Sequence, residues 1–264
     1  MQIIGLIDLY WGISLINTFN MLKLLNSDKI IEEASAFFKS LPESKQKKLK
    51  EALSNGRALL RNTAEMKAYL HHYGEMHRQK LLRAFAHIPD DIFSHNISVV
   101  DWGCGQGLGS IVLNEYIEKK KCIGEMITDI TLIEPARMCL NRAENYIGWT
   151  LPKSMVTAIR KKAEDVLPED LCIQEGTVIH IMSNIVDMPE FSGDGVVRIL
   201  DSTRKYRHII IMVSPFYPEE GRGKRMDDFA DTLKGFRKIY SFQKHKDEWN
   251  EDYSCQIRIL DNAV

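Results

Sequence analysis

Three features are scarce in this sequence: paired cysteines, an excess of positive or negative charge, and long apolar runs. The five cysteines are scattered, and none forms a C-x-x-C pair. Neither a disulfide framework nor a zinc site is therefore indicated, and a reducing, cytoplasmic setting fits best. The net charge of −1 gives no overall sign of a nucleic-acid partner, so only a local basic patch could indicate one.

The most apolar stretch, residues 1–16, falls short of a membrane span. It is interrupted by Asp8 and is shorter than the roughly 20 residues that a helix needs to cross a bilayer. It has no basic leader and no small-residue cleavage site, so no signal peptide is predicted. We expect an element packed on the body of the protein or a poorly ordered start, with a membrane-surface anchor as the alternative.

Two familiar nucleotide-binding signatures are also missing from the glycine-rich stretch at residues 98–110. The dinucleotide fingerprint G-x-G-x-x-G fails because Leu108 or Ser110 stands where the third glycine is required. The Walker pattern fails because no Gly-Lys-Ser/Thr follows. A nicotinamide site and a P-loop are therefore both poorly supported.

What this stretch does contain is an apolar run ending in Asp101, followed by glycines at 103, 105, 107 and 109 and then a helical pattern. Glycine permits positive φ and lets a ligand approach the backbone closely. The N–H groups at a helix start bind polar or anionic groups. A turn with no ligand is the alternative, but so dense a cluster directly after a strand favours a binding loop.

From residue 97 onward, strand and helix patterns alternate, which predicts a parallel sheet with helices on both faces. Five strands are predicted at residues 97–101, 130–134, 155–159, 177–182 and 208–213. Pro135 is expected to open the helix after the second strand. Two further strand-like segments, at residues 237–244 and 254–260, are joined by a charged turn and predict an antiparallel pair.

The first ninety residues read as helical. Helices are predicted at residues 27–40, from Pro42 through Leu53, and at residues 57–87. The basic run at residues 45–50 is interpreted as a solvated helix face in preference to a nucleic-acid contact. One face of the third helix is rich in polar aromatic side chains, which either pack on the core or cover a ligand pocket. Its members are Tyr69, Tyr73, Met76, His77 and Lys80.

The run from Val100 to Gly107 (VDWGCGQG) resembles the first motif, D-x-G-C-G-x-G, of class I S-adenosylmethionine (SAM) dependent methyltransferases. The resemblance covers residues 97–260. It implies an α/β, Rossmann-like, mostly parallel seven-stranded sheet with a closing antiparallel strand pair, and an N-terminal helical extension precedes it. We expect the extension to span residues 1–90 and the SAM-binding domain to span residues 91–264.

The cofactor implied by the resemblance is SAM. Glu134 ends the second predicted strand, the next one after the glycines. Nucleotide-binding α/β folds place an acid for the ribose hydroxyls at this position. The resemblance places Ala163 and Glu164 at the adenine, with Asp165 as an alternate for Glu164. The full set expected at the cofactor is Asp101, Gly103, Cys104, Gly105, Gly107, Glu134, Pro135, Ala163, Glu164 and Ser183.

The methyl acceptor is expected to meet the loop after the fourth strand, Ser183-Asn184-Ile-Val-Asp187. Candidate catalytic residues are Asn184, Ser183, Tyr73 and His77. The motifs of adenine-amino and cytosine-C5 methylating enzymes are absent from this loop. His180 is interpreted as a buried, hydrogen-bonded histidine in preference to a base. No cluster of His, Cys and acids with metal-ligand spacing appears, so no metal is expected.

An RNA acceptor is one hypothesis, with Arg222, Lys224 and Arg225 at the cleft rim contacting phosphates; a solvated loop is the alternative. The basic residues at 119–121 and 160–162 would extend that surface. Two other functions stay open. One is a nicotinamide-dependent oxidoreductase, and the other is a non-catalytic binding module built on the same fold.

Overall fold

A computed structural model describes residues 25–120, 127–171, 173, 176–249 and 251–263. The apolar stretch at residues 1–16, together with Cys122 and Cys172, lies outside this set. Cys104, Cys139 and Cys255 are buried free thiols. Among the described residues, no helix is both long and apolar enough to cross a bilayer.

Seven strands form one sheet, in the order β3-β2-β1-β4-β5-β7-β6. Strands β1 to β5 pair in parallel, whereas β7 runs antiparallel between β5 and β6. The strands are β1 Ile97–Trp102, β2 Ile127–Ile133, β3 Met155–Ile159, β4 Thr177–Ser183, β5 Arg207–Ser214, β6 Arg237–Lys244 and β7 Cys255–Asp261. The predicted fold class is confirmed, and the inserted antiparallel strand separates it from the all-parallel nicotinamide-type sheet.

Helices precede the sheet and cover both of its faces. Those before the sheet are α1 Ser27–Lys39, α2 Glu43–Ala52, α3 Thr63–Tyr69 and α4 Glu75–Phe85, with a π-helical turn, Leu70–Gly74, between the last two. Those after β1 are α5 Leu108–Lys119, α6 Arg137–Thr150, α7 Asp194–Ser202 and α8 Arg222–Thr232.

The central strands are mostly apolar because both faces of the sheet are buried. One apolar cluster joins α4, α5 and α6 to one face and also contains Ile30 and Ala34 of α1. A second cluster packs α7 and α8 on the other face, around Trp102 and Met182. Helices α1 and α4 therefore share a core with the sheet, although the predicted boundary at residue 90 stays a prediction.

Several predicted boundaries were wrong by a few residues. The helix expected from residue 57 begins at Thr63, because the Asn62 side chain accepts a hydrogen bond from the Glu65 N–H and caps it there. Pro42 precedes α2 as its cap and is not its first helical residue. Pro135 likewise lies before α6, which begins at Arg137.

Candidate functional site

The glycine-rich loop joins β1 to α5 at the carboxyl edge of the sheet. Gly103, Gly105 and Gly107 all have positive φ, at 62°, 54° and 82°. A Cβ at Gly103 would lie 2.6 Å from Ile185 Cγ2, and one at Gly107 would lie 3.1 Å from Ala143 Cβ. A Cβ at Gly105 would meet nothing within 4 Å. Two of the glycines thus allow close packing, and the middle one borders open space.

Glu134 follows β2 directly and is hydrogen-bonded to this loop. Its Oε2 accepts from the Gly105 N–H at 3.1 Å, and its Oε1 accepts from the Ala136 N–H at 2.8 Å. Burial raises the pKa of Glu134, and the two backbone donors oppose that rise. Each carboxylate oxygen still has a lone pair free, so the group can accept further hydrogen bonds from a ligand.

Two members of the predicted cofactor set lie beneath the loop. The Asp101 carboxyl is buried, and one of its oxygens, Oδ2, accepts from both the N–H and the Oγ of Ser110, at 3.1 and 2.8 Å. Burial raises the pKa of Asp101 to about 7. The Cys104 side chain is also buried, and its N–H bonds to the Ile133 carbonyl. These residues hold the start of α5 and the turn in place.

Ala163 and Glu164 lie in a single 3-10 turn after β3. The turn packs against α7 so closely that a Cβ at Gly195 would lie 1.8 Å from the Ala163 carbonyl oxygen. The Glu164 carboxylate is partly exposed and lies 3.5 Å from Lys162 Nζ. Their role at an adenine ring stays a prediction.

A cleft of about 440 Å³ lies beyond the ends of β4 and β5. One wall is formed by the π-helical region, and the opposite wall by the loops after the two strands. The segment between α2 and α3 closes one end. Side chains on these walls include Arg57, Tyr69, Tyr73, His77, Asn184, Asp187, Tyr217, Glu220 and Arg222. The volume is in the range of small-molecule sites, about 300–1,000 Å³.

Asn184 occupies the floor of this cleft in a strained conformation. Its φ is 61°, a left-handed value that is uncommon outside glycine and is tolerated best by Asn and Asp. Its N–H donates to the Val213 carbonyl at 2.7 Å. Its Nδ2 donates to Ser183 Oγ at 2.8 Å, and its Oδ1 accepts from Lys80 Nζ at 3.0 Å. The amide is therefore fixed at both ends.

Lys80 reaches Asn184 from α4 and is fully buried. Burial lowers the pKa of Lys80 to about 8. The neutral Asn184 amide is the hydrogen-bond partner of this ammonium group, and the negative charge of Asp187 opposes part of the lowering. A buried amine of this kind lies close to its protonation midpoint at neutral to mildly basic pH.

Aromatic rings line the helical wall of the cleft. The rings of Tyr69 and Tyr73 lie 5.2 Å apart, and Tyr73 stacks on His77 with ring centroids 6.1 Å apart at 18°. Burial lowers the pKa of His77 well below its usual range, so the imidazole is neutral at neutral pH. The helix face predicted from Tyr69 to His77 thus faces the cleft, and Lys80 lies behind it.

An ion-pair network crosses the rim of the cleft. Asp187 is buried and accepts from Ser214 Oγ at 2.7 Å and from Arg222 Nη1 at 2.9 Å. Arg222 Nε also donates to Glu220 at 2.9 Å, and Glu220 pairs with Arg57 at 2.6 Å. The network joins the loops after β4 and β5 to the segment that precedes α3.

The three cations predicted to contact phosphates belong to α8, not to a free loop. Arg222 is only 11% exposed and pairs with Asp187. Arg225 donates to the backbone carbonyls of Asp187 and Glu220, at 2.6 and 3.0 Å. Lys224 pairs with Asp228 at 2.6 Å. Arg222 and Lys224 are thus ion-paired, and Arg225 is hydrogen-bonded to backbone carbonyls.

His180 is buried on the central strand β4, as expected, and takes part in a hydrogen-bond chain. Trp102 Nε1–H donates to His180 Nδ1 at 3.1 Å, which leaves the proton of this neutral ring on Nε2. His180 Nε2 therefore donates to His208 Nδ1 at 2.9 Å, and His208 Nε2 donates to the Thr203 carbonyl at 2.9 Å. Burial lowers the pKa of both histidines.

The sequence prediction missed several residues around the site. Gln106, inside the loop, donates to the Met66 carbonyl at 3.0 Å and accepts from Arg142 at 3.1 Å, which ties α3 to the loop. Arg57, Glu220 and Tyr217 on the cleft wall were also not assigned a site role. The Asn55-Gly56 break was the one local signal for the first of these segments. Among the described residues, no group of three or more His, Cys, Asp or Glu could hold a metal ion.

Comparisons with protein-family models and with curated proteins give no match. Among solved structures, the chain is similar to magnesium protoporphyrin IX methyltransferase from Synechocystis with bound S-adenosylhomocysteine (SAH). That match has a TM-score of 0.46 and 13% identity, and it covers 89% of this chain and 100% of that one.

It is also similar to a SAM-dependent methyltransferase from Leishmania major, with a TM-score of 0.45, 12% identity, and coverage of 87% of this chain and 90% of that one. A third similar structure is an rRNA methylase from Streptococcus thermophilus, with a TM-score of 0.42, 12% identity, and coverage of 72% and 96%. All three of these solved structures are methyltransferases. The seven-stranded sheet with one inserted antiparallel strand is the architecture of this chain.

Proposed function

We propose that this chain is a class I SAM-dependent methyltransferase. One observation carries the proposal: the Glu134 carboxylate is bonded to the Gly105 N–H beside the open space above that glycine. A backbone-lined turn with an acid on the neighbouring strand end is how α/β folds bind a ribose-linked ligand. The two features converge at the carboxyl edge of the sheet, where ligands of such folds bind.

The residues present fit the cofactor. Open space at Gly105 accommodates a ligand against the backbone, and Glu134 retains lone pairs for two ribose hydroxyls. Ala163 and Glu164 are the candidates for the adenine, and Ser183 for the end nearest β4. Asp101, Gly103, Cys104, Gly107 and Pro135 would act through the shape of the loops. When bound, SAM supplies an electrophilic methyl group for direct displacement.

The side chains of the cleft would orient the acceptor and take up its proton. The Asn184 amide, held by Lys80 and Ser183, presents a fixed polar group on the cleft floor. His77 is neutral at neutral pH, so an unprotonated ring nitrogen is available to take a proton from the acceptor. Tyr73 stacks on His77 and fixes its ring plane.

The test is calorimetric titration of the full chain with SAM, SAH and NAD. We expect SAM and SAH to bind. Gly105→Ala should weaken that binding at least tenfold, because the added methyl group occupies the space above the loop. Gly235→Ala is the matched control: its φ of 84° is also positive, its Cβ would also meet nothing within 4 Å, and it lies at the opposite edge of the sheet.

Binding of NAD but not SAM would overturn the proposal in favour of an oxidoreductase. Binding of SAM with no transfer of labelled methyl to fractionated RNA, protein or small molecules would favour the non-catalytic module. Equal losses of binding in the two glycine variants would show that backbone strain alone, and not ligand contact, explains the effect at Gly105.

A further inference from the structure

We propose that residues 39–61, here called the basic segment, bind the phosphate backbone of a nucleic acid whose base enters the cleft. This inference rests on the proposed methyltransferase function only where it concerns methylation of that base. The binding surface itself rests on charge, exposure and position.

The basic segment concentrates positive charge. It contains seven Lys and Arg side chains and two Glu side chains, a net charge of +5, in a chain whose total is −1. The cations are Lys39, Lys45, Lys47, Lys48, Lys50, Arg57 and Arg61. A local concentration of this kind is the electrostatic footprint that nucleic-acid binding requires, and the near-zero total charge conceals it.

Helix α2, at the centre of the basic segment, adds little to the core. None of its residues is buried, and only Gln46 and Leu49 are partly covered. A helix that is polar on nearly all sides is not maintained by burial of an apolar face. Its four lysines are all exposed to solvent. The helix therefore presents charge outward.

The lysines of α2 also differ from cations elsewhere in their pairing. Lys161, Lys224 and Lys238 each lie within 3 Å of an aspartate carboxylate. Among the described residues, none of the α2 lysines forms such a pair. The charges of Lys39 and Lys50 instead add to burial in lowering the pKa values of His71 and His72, which indicates a positive potential on this side.

The position of the basic segment connects it to the cleft. After α2 the chain turns sharply through Ser54 and Asn55, both with positive φ, and Gly56 then packs against the Tyr73 ring. Arg57, 45% exposed, pairs across the cleft rim with Glu220. A strand of nucleic acid lying on α2 would therefore reach the cleft mouth.

The cleft suits a planar base. Tyr69, Tyr73 and His77 form a ring-lined wall, and Tyr217 lies on the opposite side beneath the Arg222 guanidinium, 4.9 Å from its ring centroid. Unpaired bases are recognised by stacking on such rings, whereas the phosphates fix the position of the strand. An acidic protein would satisfy the lysines but would supply no planar group for this wall.

The experiment measures binding of a fluorescein-labelled, mixed-sequence single-stranded RNA 20-mer by anisotropy at several salt concentrations, with the same sequence as DNA in a parallel arm. Lys47→Glu/Lys50→Glu should weaken binding at least tenfold and make it less salt-dependent, since each phosphate contact adds about 0.7 to the log–log slope for single strands. Lys205→Glu/Lys234→Glu, with the same charge change at the opposite edge of the sheet, should bind almost normally.

The Tyr73→Leu variant distinguishes the contribution of base stacking to affinity from that of the phosphate contacts. Losing one stacking contact should weaken binding by about tenfold without changing the salt slope. Equal effects of the two double-lysine variants, or an unchanged affinity in the α2 variant, would overturn the inference. So would binding of polyglutamate, but of neither nucleic acid, by the unmodified chain, because it would indicate an acidic protein partner.

SAH titration of every variant keeps the two proposals distinguishable. If SAH binds normally and the α2 lysines do not affect RNA or DNA affinity, only the inference about the basic segment fails. If RNA or DNA binds through the α2 lysines and SAH does not bind, the surface assignment stands and the methyltransferase proposal fails.

Discussion

The two halves of the carboxyl edge of the sheet are built in different ways. The half beyond β1 and β2 is mostly backbone: glycines with positive φ, N–H groups and the single carboxylate of Glu134. The half beyond β4 and β5 is mostly side chains, with Lys80, Asn184, Asp187 and Arg222 linked by hydrogen bonds from separate segments. A backbone site suits a fixed ligand, whereas a side-chain site can be varied to suit an acceptor.

The largest effect is expected where the two halves touch, at Gly103. Gly103→Ala places a methyl group 2.6 Å from Ile185 Cγ2 and also forces an alanine to a φ of 62°. Strain and displacement together should cost about 2–4 kcal/mol of unfolding free energy. Urea denaturation measures it. The Gly105→Ala variant, free of any clash, should lose about 1 kcal/mol, and an equal loss in both would refute the contact with Ile185.

The next effect concerns the buried acid beneath the loop. Burial raises the pKa of Asp101 to about 7, so the folded state keeps a proton that the unfolded chain releases above about pH 4, and stability falls as the pH rises from about 4 to 7. Asp101→Asn removes that cost and can keep both Ser110 bonds, which go to one oxygen. From pH 5 to pH 8 the variant should therefore gain on the order of 1–3 kcal/mol relative to the parent. Urea midpoints that differ by the same amount at both pH values would contradict this.

Glu134→Gln should affect only the half beyond β1 and β2, where we propose that the cofactor binds. The amide keeps one acceptor oxygen but loses the charge and one acceptor, which lowers SAH affinity by about 10- to 100-fold, the usual value of a charged hydrogen bond. Calorimetry measures the affinity. Glu164→Gln is the comparison for the adenine prediction, and its effect should be smaller because that carboxylate is partly exposed. RNA binding in both variants should match that of the unmodified chain.

Lys80→Met should affect only the half beyond β4 and β5, where we propose that the acceptor binds. Its effect on the unfolding free energy should be the smallest of the four. Burial lowers the pKa of Lys80 to about 8, so holding this group in the folded state costs stability at neutral pH. Methionine fills the space without charge and should raise the unfolding free energy by about 1 kcal/mol at pH 7, net of the lost Asn184 bond. The gain should shrink as the pH rises from about 8 towards 10, because Lys80 in the folded state then loses the proton that the unfolded chain still holds. Unchanged SAH binding is the control.

Local patterns in the sequence predicted the glycine loop, Glu134 and the strands that carry them. Asp101 ends an apolar strand, the glycines follow at once, and the next strand ends at the acid, so each feature is set within a few residues. The parallel pairing of β1 with β2 then brings the two together without further information. The helix boundary at residue 57 was wrong because the Asn62 cap, not the apolar period, sets where α3 begins.

The pairing of charges could not be predicted in the same way. Arg222 and Arg225 resemble a free basic loop in the sequence, but the packing of α8 beside the β4 loop brings them to Asp187. The α2 lysines resemble an ordinary solvated face, yet no carboxylate among the described residues pairs with them. Which cations remain available depends on segments more than thirty residues apart in the chain.

The sequence by itself determined the architecture and the backbone site, because alternation, glycine spacing and strand-end acids act over short distances. Only the tertiary structure decided the half beyond β4 and β5, where we propose that the acceptor binds. Lys80 and Asn184 are 104 residues apart, and Arg57 and Glu220 are 163 apart. Contacts at such separations depend on how the N-terminal helices dock on the sheet, a matter of overall packing that no local pattern encodes.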